Sequence, residues 1–233
     1  PTLPTSLQLA AENGPMACVV AGPNEEIDAF AQQLTLRDIP VRRLQTSHAF
    51  HSAMMDPAVP VFEQAVRAVK LAPSQIPIVS TVTGNWLTVE QATDPAYWAR
   101  HLRQAVRFAP AVSTALTVGS TLFVECGPRN TLSTLARQHK VDKAPASAIA
   151  SLCDEASIEH ESFVRAAGQL WAAGVVVRWQ TGDFSGVQRI QLPTYPFERQ
   201  RHWVDAMAEP RQPAVAQPSV QLAMPSGVAA VVN

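Results

Sequence analysis

Apolar positions recur along the chain at two spacings, and the switches between them predict a succession of short strands and helices. Leu7 to Ala11 and Ala17 to Ala21 are apolar runs separated by the turn-forming cluster Glu12-Asn13-Gly14-Pro15, which predicts two strands. Asn24 then stands as an N-cap before a helix with Ile27, Phe30, Ala31 and Leu34 on one face. Val41 to Leu44 predicts a third strand, completing a strand–strand–helix–strand unit, half of a small α+β sandwich.

Asp56-Pro57 pairs a good N-cap with proline at the first helical position, ahead of a stripe made by Phe62, Ala65, Val66 and Val69. Ile76 to Val82 predicts a strand, and Asp94-Pro95 opens a helix carrying Tyr97, Trp98, His101 and Leu102. A short helix is expected around Ala109 to Leu116, stopped by Gly119, followed by a strand at Leu122 to Glu125. Gly127-Pro128 leads into a helix capped by Asn130 that holds Leu132, Leu135 and Ala136. This alternation argues for a parallel sheet covered by helices. Residues 139–158 are poor in apolar positions and are expected to be a connection. Phe163, Ala166, Ala167, Leu170 and Trp171 predict one more amphipathic helix ended by Gly174, with a strand at Val175 to Trp179. From Ala206 the chain becomes an aperiodic stretch of Pro, Ala, Gln and Val, expected to be a disordered or extended linker.

Composition narrows the function classes. Net charge is −1, so no global attraction to nucleic acid or an anionic membrane is expected. Basic residues are 15 Arg and 3 Lys, a bias of composition rather than a basic patch. Cys18, Cys126 and Cys153 are far apart and odd in number, which fits a reducing cytosol better than a disulfide framework. No apolar run approaches the roughly 20 residues that span a bilayer, and residues 1–5 show neither the basic nor the apolar part of a leader. The expected setting is cytoplasmic.

The candidate chemistry lies in Thr46-Ser47-His48-Ala49-Phe50-His51-Ser52. If these residues are extended, His48 and His51 point to opposite faces, so one can meet a reacting hydroxyl while the other supports the pocket. His51 lies nearer the helix expected to start at Asp56 and is the better anchored of the two. Both could equally be ordinary histidines at a strand end. A zinc site is disfavoured because no further Cys, His or carboxylate lies at ligand spacing, so no metal is expected.

His48-Ala49-Phe50-His51 resembles the histidine signature of acyltransferase domains in type I modular polyketide synthases. Four other segments, in the family's order, extend the likeness from about Leu7 to Trp203. They are Ala10-Ala11-Glu12-Asn13-Gly14-Pro15, the pieces Thr83 to Thr88, Asp94 to Trp98 and His101 to Phe108 taken together, Glu125-Cys126-Gly127-Pro128-Arg129-Asn130-Thr131-Leu132, and the Leu192-Pro193-Thr194-Tyr195-Pro196-Phe197 linker that runs to Trp203.

The resemblance implies an α/β fold: the C-terminal part of an α/β-hydrolase-like large subdomain with a partial ferredoxin-like α+β subdomain, incomplete at the N-terminus. Residues 1–46 would be the partial ferredoxin-like unit, 47–140 the acyltransferase core, 141–205 the post-acyltransferase linker and 206–233 the disordered tail. It also implies the chemistry. His51 would be the base, with His48 and Phe50 setting malonyl selectivity and a backbone carbonyl between Gln104 and Arg107 orienting the His51 ring. No cofactor would be bound. The substrate would be malonyl-CoA and the acceptor a phosphopantetheinylated acyl carrier protein. The family's serine elbow, Gly-x-Ser-x-Gly, occurs nowhere in the 233 residues, so the nucleophile is expected from a missing N-terminal half.

The amide-rich start of the helix after Gly127-Pro128 is expected either to be a simple cap or to hold an anion such as the pantetheine phosphate. Tyr195, Phe197 and Trp203 would anchor the linker in an interdomain groove, the ketosynthase being the expected neighbour. With Arg199 and Arg201 interleaved, single-stranded nucleic acid is the rival ligand, and the neutral net charge argues against it. The alternative function is a non-catalytic docking piece that contacts ketosynthase or carrier domains through residues 163–203.

Overall fold

The computed structural model describes residues 2–44, 46–141, 144–179, 188 and 190–198. The chain divides into two units, residues 1–183 and 184–233. The strands and helices described below belong to the first.

Strands β1 (Gln8–Gly14) and β2 (Ala17–Ala21) form an antiparallel hairpin. The turn is shorter than expected, because β1 runs on through Glu12, Asn13 and Gly14. Register shifts after Leu9 and after Glu12 leave Ala10 and Asn13 as extra residues on β1, and the second bulge absorbs Asn13 from the expected turn. On its other edge β1 meets the segment at Val106: the Glu12 amide donates to the Val106 carbonyl at 2.8 Å and the Val106 amide to Ala10 at 2.9 Å. Leu7, Ala10 and Ala11 are buried there.

Helix α1 (Asn24–Thr35) carries the expected stripe, with Phe30 buried. Asn24 is the first helical residue rather than the cap; its side chain accepts from Arg43 at 2.8 Å, and Arg43 also pairs with Asp28. The strand expected at Val41 to Leu44 does not form. A strand needs a partner: β1 is occupied on both edges, by β2 and by Val106, and among the described residues no bridge joins this segment to β2. Side-chain bonds from Arg43 to α1 hold this segment instead.

A single turn of 3-10 helix (Ala53–Met55) precedes α2 (Ala58–Arg67), which packs on α4. No residue of α2 is buried, and Phe62 and Val69 are 40% and 62% exposed, so the apolar stripe is largely uncovered. Ile76 to Val82 is not a strand. It contributes one bridge, Val79 to Trp86, across a reversal in which the Ser80 amide donates to Asn85 and Gly84 to Ser80, both at 2.8 Å. Gly84 sits at φ +73°, and a Cβ there would lie 2.7 Å from Pro110 Cβ, so the turn requires glycine.

Helix α3 (Val89–Thr93) begins with a full capping box between Thr88 and Gln91. Helix α4 (Pro95–Arg103) begins as expected, the Asp94 carboxylate accepting from Ala96 at 2.9 Å. Its inner face is anchored by Tyr97 and Ala99, 1% and 0% exposed, and the Tyr97 hydroxyl is hydrogen-bonded to Ser80 Oγ. Helix α5 (Phe108–Leu116) packs against β1 with Ala109, Ala111 and Val112 buried.

Strand β3 (Leu122–Glu125) pairs in parallel with β6 (Ser147–Ala150), in register from Leu122–Ser147 to Glu125–Ala150. Helix α6 (Thr131–Ala136) and the small antiparallel pair β4 (Lys140–Val141) and β5 (Ala144–Pro145) lie between them in sequence. The stretch expected as a connection therefore holds a strand of the parallel sheet. Ala148 and Ile149 are buried, but a four-residue strand whose one large side chain is Ile149 carries too little apolar weight to announce it. Helix α7 (Glu159–Ala172) buries Ala166 while Phe163 and Trp171 are 52% and 64% exposed. It ends in a Schellman motif. Gly174 sits at φ +88° and donates to Trp171, and the Val175 amide donates to Leu170. Val175 to Trp179 forms no strand. The α/β expectation holds, with a parallel strand pair and helices, while three of the expected strands do not form.

Candidate active site

The segment 46–51 curls instead of running extended. The Phe50 amide donates to the His48 carbonyl at 3.0 Å, a three-residue turn about Ala49, and His51 follows at φ +60°. A left-handed backbone at a non-glycine residue costs about 1–2 kcal/mol, and such strain persists only where the surroundings impose it. Here they do. Ser52, 3% exposed, donates from Oγ to Ala49 at 2.5 Å and accepts from the Met54 amide at 3.3 Å, capping the 3-10 turn. Gln8 of β1 accepts from the Ala53 amide at 3.0 Å.

The last turn of α4 supplies the rest. The His51 amide donates to Leu102 at 3.1 Å, and its Nδ1 lies 2.8 Å from the Gln104 carbonyl. Leu102 and Gln104 lie at the end of a helix, where carbonyls lose their intrahelical partners. Gln104 leaves the helix at ψ 150°, which turns its carbonyl away from the helix ladder. A carbonyl only accepts, so Nδ1 carries the proton and Nε2 of the neutral ring carries the lone pair. The ring is half-buried. This arrangement can take up a proton at Nε2.

Of the two residues named as orienters, Gln104 is the one that holds His51. Arg107 is not. Its carbonyl accepts from Ala111 at 3.1 Å, inside α5, and its guanidinium donates to Thr83 at 3.3 Å. His48 and Phe50 are both exposed and meet each other, their ring centroids 6.2 Å apart and edge-to-face, while His48 Nδ1 lies 3.0 Å from Ser47 Oγ.

The sequence misread Asp56 and passed over Arg103 and His101. Asp56 does not cap α2, whose N-cap position is Pro57; its carboxylate accepts from Arg103 Nε at 2.6 Å. Pro60 at the third helical position lacks one of the amides a cap would serve. His101 stacks on Trp98 at 5.4 Å and 18°, meets Tyr97 edge-on, and buries an Nε2 that has no partner among the described residues. Burial, then the neighbouring His51, then Arg100 push its pKa below the ordinary histidine value.

At the α6 N-terminus the anion expectation fails. Glu125 already occupies the amides, accepting from Leu132 at 3.0 Å and from Ser133 at 2.8 Å, with the Ser133 hydroxyl at 2.7 Å. Burial raises the Glu125 pKa, but these bonds and Arg137 outweigh it and hold the carboxyl below its usual range. Asn130 stands at the cap position without capping. A separate cavity of about 270 Å³, lined by Phe108, Val112, Phe123, Leu132 and Ala136 among others, involves no residue of 46–56 or 101–104.

Among the described residues no group of three or more metal-ligating side chains is found, and no helix is long and apolar enough to cross a membrane. In the second unit the Tyr195 and Phe197 rings meet edge-to-face at 5.0 Å, and the Phe197 amide donates to Tyr195 at 2.9 Å. Trp203, Arg199, Arg201 and the tail from 206 lie outside the described residues.

A loop histidine whose Nδ1 faces a main-chain carbonyl keeps Nε2 able to take up a proton, the chemistry of a general base. Residues 3–176 match the acyl transferase domain family, and the chain belongs to that family. It is 37% identical over 230 residues to a phenolphthiocerol/phthiocerol polyketide synthase of Mycobacterium tuberculosis, covering 97% of this chain and 15% of that protein. It is 36% identical over 203 residues to the polyketide synthase GfsA of Streptomyces halstedii, covering 86% of this chain and 3% of that protein.

Solved structures give the same picture. The acyl transferase domain of SpnD, in complex with 2-(pent-4-yn-1-yl)malonyl, superposes with TM-score 0.69 at 36% identity, covering 74% of this chain and 42% of that one. The acyltransferase domain of the second salinomycin synthase module gives 0.68 at 35%, covering 82% and 44%. FabD from Acinetobacter baumannii, at 20% identity and TM-score 0.59, shares the fold. The chain thus spans less than half of the first two solved domains and a small part of the synthases.

Proposed function

We propose that this chain is the histidine-bearing part of a polyketide synthase acyltransferase domain, with His51 as its general base. The observation that carries the reading is the 2.8 Å contact between His51 Nδ1 and the Gln104 carbonyl, which commits Nε2 to accepting a proton. In this reading Nε2 takes the proton of a serine hydroxyl supplied by polypeptide outside these 233 residues. The serine oxygen attacks the thioester carbon of malonyl-CoA, the C–S bond breaks and CoA leaves as the thiol. The phosphopantetheine thiol of an acyl carrier protein then attacks the acyl-serine, and the serine oxygen recovers its proton through the same ring. The carbonyl plays the part that an aspartate plays in a full triad, and a positioned base is worth about 10²–10⁴ in rate.

Malonyl selectivity is assigned to His48 and Phe50, which meet edge-to-face, with the Phe50 ring as the apolar wall. One methyl in an apolar pocket discriminates by about 1–3 kcal/mol, so the expected preference is a bias. Residues 141–205 are assigned to the post-acyltransferase linker, with β6 as the part of it that joins the parallel sheet. Tyr195, Phe197 and Trp203 are assigned to contact with a ketosynthase. The three free cysteines suit a reducing compartment, and the reading places the chain in the cytoplasm.

The test mixes the chain with a polypeptide carrying the serine half and follows radiolabelled malonyl transfer from CoA to a carrier protein. Transfer should require both parts and fall by about 10²-fold or more in His51→Ala. Undiminished transfer by His51→Ala, or acylation of the chain alone at a serine of its own, defeats the proposal.

A further inference from the structure

Three consecutive residues at the end of α4 touch the histidine loop, each in a different way. Leu102 accepts the His51 amide, Gln104 accepts His51 Nδ1, and between them Arg103 Nε donates to the Asp56 carboxylate at 2.6 Å. We propose that Asp56 and Arg103 are positioning residues: their ion pair fastens the loop to the carbonyls that set the His51 tautomer.

The argument is geometric. His51 is held at φ +60°, a conformation its surroundings must impose, and residues 51–56 leave it through a single 3-10 turn. On the β1 side that turn is tied by Gln8 to Ala53, and at its far end by Asp56 to Arg103. The Asp56 carboxylate is not engaged in capping α2, which begins at Pro57-Ala58 without a side-chain cap. Arg103 has no rival from its neighbour: Arg100 turns the other way, over the Tyr97 ring at 5.2 Å and to Asp94 at 3.7 Å. The Nε geometry matters too, because a lysine reaching from the same position offers a point charge in place of a planar donor. The Arg103 and Asp56 side chains are 34% and 58% exposed, so water screens the pair and its effect on the loop is graded.

This inference rests on the proposed role of His51, but its test does not use catalysis. The full chain is labelled with ¹⁵N, and long-range ¹H–¹⁵N correlation at pH 8 reads which His51 nitrogen carries the proton, with assignment from His51→Gln. The wild type should show predominantly Nδ1–H. Asp56→Asn and Arg103→Gln should each lower the ratio of Nδ1–H to Nε2–H by about two- to five-fold, the range an exposed ion pair supports, with the far-UV spectrum unchanged.

The exchanged pair, Asp56→Arg with Arg103→Asp, should recover most of the ratio. An unchanged ratio in both single variants overturns the proposal, as does a drop that the exchanged pair leaves in place. Should Arg103→Gln not fold, Arg103→Lys takes its place and should show a smaller drop in the same direction; no drop there overturns it equally. If the ratio moves as expected while His51→Ala transfers malonyl normally, the clamp stands and the catalytic reading falls.

Discussion

Replacing His51 by glycine and, separately, by alanine pulls apart the two things this residue does. Both changes delete the bond from Nδ1 to the Gln104 carbonyl, a loss of about 1 kcal/mol. Both keep the backbone amide bond to Leu102. They differ at the backbone. Alanine at φ +60° keeps the left-handed cost of about 1–2 kcal/mol that histidine bears, whereas glycine has none and instead loses about 0.5–1 kcal/mol more chain entropy on folding. The glycine variant should therefore be more stable than the alanine variant by about 0.5–1 kcal/mol, close to wild type, and equally dead in a reconstituted transfer assay. Urea unfolding followed by far-UV circular dichroism, at a common m-value, measures the difference. For a chain of this size it corresponds to a melting point higher by about 1–4 °C. An alanine variant as stable as the glycine one means that residue 51 is not held left-handed, and the strained-cradle account of the site fails.

Three further outcomes follow from the same geometry. Gly84→Ala places a Cβ 2.7 Å from Pro110 at φ +73° and should destabilise by about 2–4 kcal/mol in urea titrations, the sum of overpacking and left-handed strain. Glu125→Ala uncaps α6 and leaves the Ser133 hydroxyl, 1% exposed overall, without its acceptor; about 2–4 kcal/mol should be lost, and because the Glu125 pKa is lowered by folding, its contribution holds above about pH 4.5 and fades as pH falls. His101 and His139 each bury an Nε2 with no partner among the described residues and have lowered pKa values, so the unfolded chain takes up their protons first on acidification. Stability should be fully present above about pH 6.5 and decline below it, and His139→Phe should flatten the slope of urea midpoint against pH between 7.5 and 5.5; an unchanged slope removes His139 from the account.

Much of the architecture was legible in local pattern. Asp94-Pro95 announced α4, the Ile27–Leu34 stripe announced α1, and Leu122 to Glu125 announced β3, because each signal acts within one turn or one strand of its own residues. The errors share a cause. Val41 to Leu44, Ile76 to Val82 and Val175 to Trp179 have strand composition, yet a strand exists only where a neighbour offers a free edge, and that neighbour lies far off in sequence. Asn130 and Asp56 are good caps by type. Glu125 reached α6 first, however, and Arg103 took Asp56.

The candidate site divides in the same way. The amino-acid order by itself determined that a histidine pair with small hydroxyl neighbours precedes a helix, and the family resemblance added the expectation of an orienting carbonyl between Gln104 and Arg107. Only the tertiary structure decided that His51 is left-handed, that the carbonyl of Gln104 and not of Arg107 accepts the hydrogen bond from its Nδ1–H, and that Arg103 reaches Asp56. Sequence pattern reports which side chains are available along one element. A tautomer is set by a carbonyl 53 residues away, and that meeting is made when β1 and the end of α4 pack on either side of the loop.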